Sequence, residues 1–159
     1  MSNRSEIVVR QGDVVLIAAD LPGGAAPLPA SDGKVIVAFG EATGHHHRFE
    51  GAATLYADGA RRYVRVDDDA VVTITPIGIE PYDDRAFDVR EADGSVTRLP
   101  LAALDEAEAA IKASATLTYP GAKLRHEEHS ALVVAPGAYA LPGQREYTSA
   151  DMAPLPVQD

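Results

Sequence analysis

Residues 54–66 read Thr-Leu-Tyr-Ala-Asp-Gly-Ala-Arg-Arg-Tyr-Val-Arg-Val. Thr54-Leu55-Tyr56 and Arg62 to Val66 are two short runs of β-branched and aromatic residues across Ala57-Asp58-Gly59-Ala60, and an Asp-Gly pair readily supplies the positive φ of a tight hairpin. The stretch predicts a β-hairpin, and the same pattern recurs on both sides of it. Phe87 to Leu99 reads as a second hairpin on Ala92-Asp93-Gly94, and Glu6 to Ala18 holds two β-branched runs around Gln11-Gly12-Asp13, where a bend or bulge is expected. Lys34 to Phe39, Glu41 to Phe49, Ala115 to Tyr119, Ala131 to Val134, Ala138 to Leu141 and Gln144 to Thr148 add further strands. Val71 to Ile79 is strand-like but interrupted by Pro76, which cannot donate to a ladder and so marks an edge or a strand end.

Two stretches depart from this pattern. Leu21 to Gly33 carries three prolines and three glycines and reads as a surface loop. After Pro100, Leu101, Leu104, Ala107 and Ile111 recur at helical spacing, with Asp105 and Glu106 early and Lys112 late, as the helix dipole favours. The expected fold is therefore a single all-β domain over residues 1–159, a small barrel or sandwich. A peripheral hairpin and one helix come from residues 68–121, and residues 149–159 form an extended tail.

The chain carries 24 acidic and 14 basic side chains, a formal charge of −10. Twelve of the acids lie between Val66 and Glu108 against Arg85, Arg90 and Arg98 alone, a local balance of −9, which leaves 12 acids and 11 bases elsewhere. Such a chain is repelled by phosphate backbones and anionic lipid, so nucleic acid and membrane surfaces are not expected partners. A protein partner or a second copy remains open. There is no cysteine, hence no disulfide, thiolate nucleophile or Cys-type zinc site. Met1 to Glu6 leads straight into Ile7-Val8-Val9 with no apolar export segment, so the expected compartment is the cytoplasm.

All five histidines fall in two clusters, His45-His46-His47 and His126/His129. On a strand, His45 and His47 share one face, and two imidazoles at i and i+2 can chelate a divalent cation. A regular strand would send His126 and His129 to opposite faces, so either that segment turns or only one of them joins the site. Each cluster alone reads more readily as a solvated polar loop than as a site; the pair, with no histidine elsewhere, points to one shared centre. The candidate ligands are His45, His47, His126, His129 and Glu127, with Glu50, Glu128, Glu146 and Tyr147 in second rank. Mixed imidazole and carboxylate donors suit zinc, iron, manganese or nickel. The sequence holds no phosphate loop, no Gly-x-Ser-x-Gly elbow and no HExxH helix, and it leaves open whether the domain is an enzyme.

Gly44-His45-His46-His47-Arg48 with Glu50 partly resembles the first cupin metal motif, at shorter spacing, while Pro136-Gly137 lacks the histidine of the second. The blocks Arg10-Gln11-Gly12-Asp13-Val14, Gly44 to Arg48, His126-Glu127-Glu128-His129, Pro136-Gly137-Ala138-Tyr139 and Gln144-Arg145-Glu146-Tyr147 together resemble a family of small uncharacterised bacterial and phage-encoded proteins. The resemblance spans roughly residues 8–67 and 122–148 and implies that His45 and His47 occupy a G-H-x-H pattern with His46 at its variable position. Typical members are shorter and lack the stretch from about Asp68 to Gly121. Two functions compete on this reading: a metal-binding β-domain, and a structural or interaction protein such as a phage or assembly component.

Overall fold

The computed structural model describes residues 7–12, 14–30, 34–39, 46–126 and 129–141. The strands are β1 (Ile7–Gln11), β2 (Val14–Ala18), β3 (Ala26–Leu28), β4 (Lys34–Phe39), β5 (His46–Glu50), β6 (Ala53–Asp58), β7 (Arg61–Val66), β8 (Val71–Ile74), β9 (Pro76–Pro81), β10 (Ala86–Glu91) and β11 (Val96–Pro100). A short 3-10 turn (Leu101–Ala103) and helix α1 (Leu104–Ala113) precede β12 (Leu117–Pro120), β13 (Ala122–His126), β14 (His129–Val134) and β15 (Gly137–Ala140). No helix among the described residues is long and apolar enough to cross a membrane.

The fold is an all-β sandwich. One sheet has the order β1-β2-β15-β7-β6-β3, the other β4-β5-β13-β14-β11-β10-β9, and β8 pairs with β12 in a separate ribbon. Both large sheets stay open at their edges, so of the two expected architectures the sandwich is found and the barrel, cupin-like or otherwise, is not. The predicted β6–β7 hairpin forms with a tighter turn than expected: Ala57 pairs with Arg62 and Asp58 with Arg61, leaving Gly59, at φ +63°, and Ala60 in the turn. Gln11 pairs with Val14, so the predicted bend at Gly12 is a complete hairpin reversal. Ala26–Leu28, expected as loop, instead pairs with β6 and extends the sheet by one short edge strand, Pro27 included.

Alternation builds the main core. Val14 and Leu16 from β2, Val64 and Val66 from β7 and Tyr139 from β15 meet Val35, Phe49, Leu124 and Val134 from the opposite sheet. Residues 68–121 form more than the expected peripheral hairpin and helix: they supply β8 to β12 and a second core, in which Ile74, Phe87, Val89, Leu99 and Leu117 pack with Ala103, Ala107 and Ala110. Of the predicted stripe Leu101/Leu104/Ala107/Ile111, Ala107 is fully buried, Leu104 packs half-buried on the same core and Ile111 is half-buried, while Leu101 stays exposed; Ala103 and Ala110 complete the buried face. Alanines at the most buried positions leave room for the helix to pack against the sheet.

The seven-stranded sheet is common to both cores. Its two parts join where β11 and β14 run parallel, with Thr97 opposite Ala131 and Arg98 opposite Leu132. The buried carboxylate of Glu91 ties the junction by accepting from Thr97 Oγ1 at 2.5 Å and from Lys123 Nζ at 2.7 Å. Removing one member of such a pair strands the other charge in a dry site, whereas replacing both with apolar groups does not. Glu91→Ala should therefore cost about 3–5 kcal/mol in denaturant unfolding, and Glu91→Met/Lys123→Met much less; equal losses would show that the ion pair itself sustains the junction.

Tyr139 is buried on β15, donates its hydroxyl to the carbonyl oxygen of Ala135 at 2.6 Å, and burial pushes its phenol above the ordinary range. A raised folded-state value means that its stabilisation is whole below the unfolded value of about 10 and fades as pH rises through the folded one. Tyr139→Phe should lose about 1 kcal/mol at pH 7, from the missing hydrogen bond. Thermal melts between pH 9 and 11 should then fall less steeply for the variant than for the parent protein.

Candidate metal centre

Three of the histidines singled out by the sequence come together between the sheets, at one end of the sandwich. Alternation along β5 turns His47 and Phe49 inward, both 0% exposed, and leaves His46 and Arg48 on the other side. Alternation along β13 likewise buries Ala122, Leu124 and His126. His126 and His129 are register partners at the end of the β13–β14 hairpin. The chain reverses between them, so two side chains that a straight strand would separate lie on one face. Between the pairs Leu124–Leu132 and His126–His129, β14 holds one residue more than β13, a bulge of the kind that re-aims side chains beside functional sites.

The rings pile up closely. His47 and His126 have centroids 4.1 Å apart with 28° between planes, His126 and His129 4.8 Å apart at 43°, and His47 and His129 6.1 Å apart at 18°. Rings lying face over face carry their nitrogens side by side rather than aimed at one centre. Accordingly, among the described residues no three His, Asp or Glu side chains are arranged to hold a metal ion as they stand.

Gln11 determines the chemistry of His47. Its side chain is buried and its Nε2 donates to the carbonyl oxygens of Leu124 and Ser130, both at 2.9 Å. Carbonyl oxygens only accept, so the amide group must face them and its Oε1 must face His47 Nδ1, 2.8 Å away. Oε1 also only accepts, so Nδ1 carries the proton and the neutral ring keeps its lone pair on Nε2, which is buried. His129 Nε2 is buried too and has no hydrogen-bond partner among the described residues. Leaving such an atom unsatisfied costs about 1–3 kcal/mol, so it is the atom of the cluster whose pairing calls for an explanation.

Gly12 caps this end of the cluster. Its φ is +57°, and a Cβ there would lie 2.8 Å from His129 Nε2 and 3.3 Å from His47 Cε1. Glycine thus satisfies the hairpin turn and leaves an open cradle at the edges of two rings.

The other candidates fall elsewhere. Glu50 is exposed and forms ion pairs with Arg48 at 3.5 Å and Arg125 at 3.3 Å, away from the imidazoles. His45, Glu127, Glu128, Glu146 and Tyr147 lie outside the described residues. Sequence reading passed over Gln11 and Gly12 as site residues. The available clue was a long amide directly before a Gly-Asp turn, at the end of an otherwise apolar strand.

Residues 10–78 match the model of a domain of unknown function, DUF8820. The matched stretch contains Gln11, Gly12 and His47 and stops well before His126 and His129. This agrees with an uncharacterised family over the first part of the chain; the sequence blocks beyond residue 121 lie outside the match. No curated protein and no solved structure matches the chain.

Proposed function

We propose that this domain binds one divalent d-block metal ion through His47, His126 and His129, with Gln11 as the group that orients His47. The observation that carries the reading is the Gln11–His47 hydrogen bond, which commits the lone pair of His47 to Nε2 in the same buried cluster as His129 Nε2. A hydrogen bond from the far ring nitrogen to an amide or carboxylate oxygen is the usual support of a metal-bound imidazole. The cradle at Gly12 supplies space beside the ring edges. Binding requires the stacked rings to turn until their nitrogens converge at about 2.0–2.1 Å from the ion. Three imidazoles favour zinc, iron(II) or nickel over manganese, which prefers oxygen donors. A further donor from the protein or solvent completes the shell; Glu127 and Glu128, which separate His126 from His129 in the sequence, and His45 are the first to examine.

Metal analysis of untagged protein, with cobalt(II) absorption as a report of coordination, tests the proposal. One ion per chain is expected, together with about 2.7 kcal/mol of added stability at a free-metal concentration 100 times Kd. His47→Ala and His129→Ala should abolish binding. Gln11→Leu should weaken it about 10–100-fold while leaving all three imidazoles in place. Sub-stoichiometric metal, with melting unchanged by zinc or by chelator, would overturn the reading in favour of a purely structural polar cluster.

A second prediction concerns Gly12. Gly12→Ala should weaken metal binding more than it lowers stability in the metal-free protein. Strain at φ +57° costs on the order of 1 kcal/mol, whereas the added methyl also occupies the cradle. A variant that loses stability but binds metal as before would place the ion elsewhere.

A further inference from the structure

The face of the seven-stranded sheet that carries the main core continues as a row of register partners. Phe49 stands opposite Leu124, Leu124 opposite Leu132, Leu132 opposite Arg98 and Arg98 opposite Asp88. Residues directly opposite one another project to the same side, so the row changes from apolar to charged at the step from β14 to β11. β1 is the outermost strand of the six-stranded sheet, and Val9 on it packs against the main core. A cavity of about 380 Å³ opens where β1 meets this row, with Val9, Leu132 and Pro100 as apolar wall and Arg10, Arg85 and Arg98 as its cations. The volume suits a small molecule rather than a polymer.

Arg98 is already spent. It donates to both oxygens of Asp88, at 2.8 and 3.1 Å, and its guanidinium carbon lies 3.3 Å from the centroid of the Tyr82 ring. A clamped cation thus steadies an aromatic side chain that lines the cavity while 52% exposed. Asp83 is the carboxylate that lines the cavity among the described residues; its Oδ1 accepts from the backbone N–H of Arg85 at 2.8 Å and of Ala86 at 3.0 Å. Asp84, the next residue, is exposed and does not line it. Arg10 and Arg85 are exposed and form no side-chain hydrogen bond or ion pair among the described residues. With Asp88 set against Arg98 and Asp83 against one of the others, the cavity keeps one positive charge in excess. In a chain of net charge −10 such a concave spot favours what the rest of the surface repels.

We infer that this cavity binds a small aromatic monocarboxylate, its ring laid on the apolar wall beside Tyr82 and its carboxylate taken by Arg10 and Arg85. An uncommitted guanidinium offers a carboxylate two parallel N–H donors. One excess charge matches a monoanion, whereas a phosphate monoester brings close to two negative charges. The cavity shares no residue with the imidazole cluster, so its test is run with a chelator present. Phenylacetate is titrated into the isotope-labelled full-length chain at constant ionic strength and followed by amide NMR shifts. Saturable shifts are expected at residues 82–86, 98–100 and 132–133. Acetate, which lacks the ring, and phenylacetamide, which lacks the charge, should each bind about tenfold more weakly or worse. Tyr82→Ala and Arg10→Gln/Arg85→Gln should each lose about tenfold in affinity. Asp83→Asn keeps an Oδ1 acceptor for the turn while removing the competing charge, and should bind severalfold more tightly, a gain that misfolding cannot imitate. Shifts that do not saturate or that map elsewhere, tighter binding of phenyl phosphate than of phenylacetate, or the parent affinity in a folded Arg10→Gln/Arg85→Gln variant would overturn the inference, whatever the outcome with metal.

Discussion

The buried amide of Gln11 is the interaction on which this end of the molecule depends. It sits at the tip of the β1–β2 hairpin in one sheet and spends all its hydrogen-bonding on the other, with two donors to backbone carbonyls of β13 and β14 and one acceptor to His47 on β5. A single side chain thereby fixes the distance between the sheets, satisfies carbonyls beside the β14 bulge and sets the tautomer of the central imidazole. Buried polar groups of this kind are stabilising only when every member is paired, and Gln11 meets that condition. The imidazole cluster is built around it, and His129 Nε2 in that cluster is a buried nitrogen with no hydrogen-bond partner among the described residues.

The rest of the architecture follows from the sharing of one seven-stranded sheet by two cores. One half is covered by the six-stranded sheet, the other by α1 and the β8–β12 ribbon. Parallel pairing of β11 with β14 makes the acidic segment continuous with the hairpin that carries His126 and His129. Residues 68–121 are thus structurally close to the candidate site through β14 even though they contribute none of its imidazoles. Their carboxylates are mostly on the exposed faces, where solvent screens them.

Charge is partitioned in the same way. The surface carries the net acidity of the chain, while in the β5–β13 region His47 and His126 lie on the inner face and Arg48 and Arg125, with His46, on the outer one. Strand alternation alone produces this division, because His47 and Arg48, like Arg125 and His126, are adjacent in sequence and point to opposite sides. One short segment of sheet therefore presents different side chains on its two faces.

The sequence by itself determined most of the described strands, though not β3 or β13, together with the turns at Asp58-Gly59 and Asp93-Gly94, the break at Pro76 and the single helix, because each rests on local backbone preference and period-two burial; the expected strand Gln144 to Thr148 lies outside the described residues. It also singled out the histidine clusters, since composition needs no coordinates. Tertiary structure decided the rest. Whether His126 and His129 share a face depends on a reversal between them and on one extra residue in β14. Whether Ala26–Leu28 is loop or strand depends on the free edge that β6 offers. The role of Gln11 could not be read locally at all: its three partners lie 36 to 119 residues away. A polar side chain in a β-branched run acquires its function only from the carbonyls and the ring that the opposite sheet brings to it.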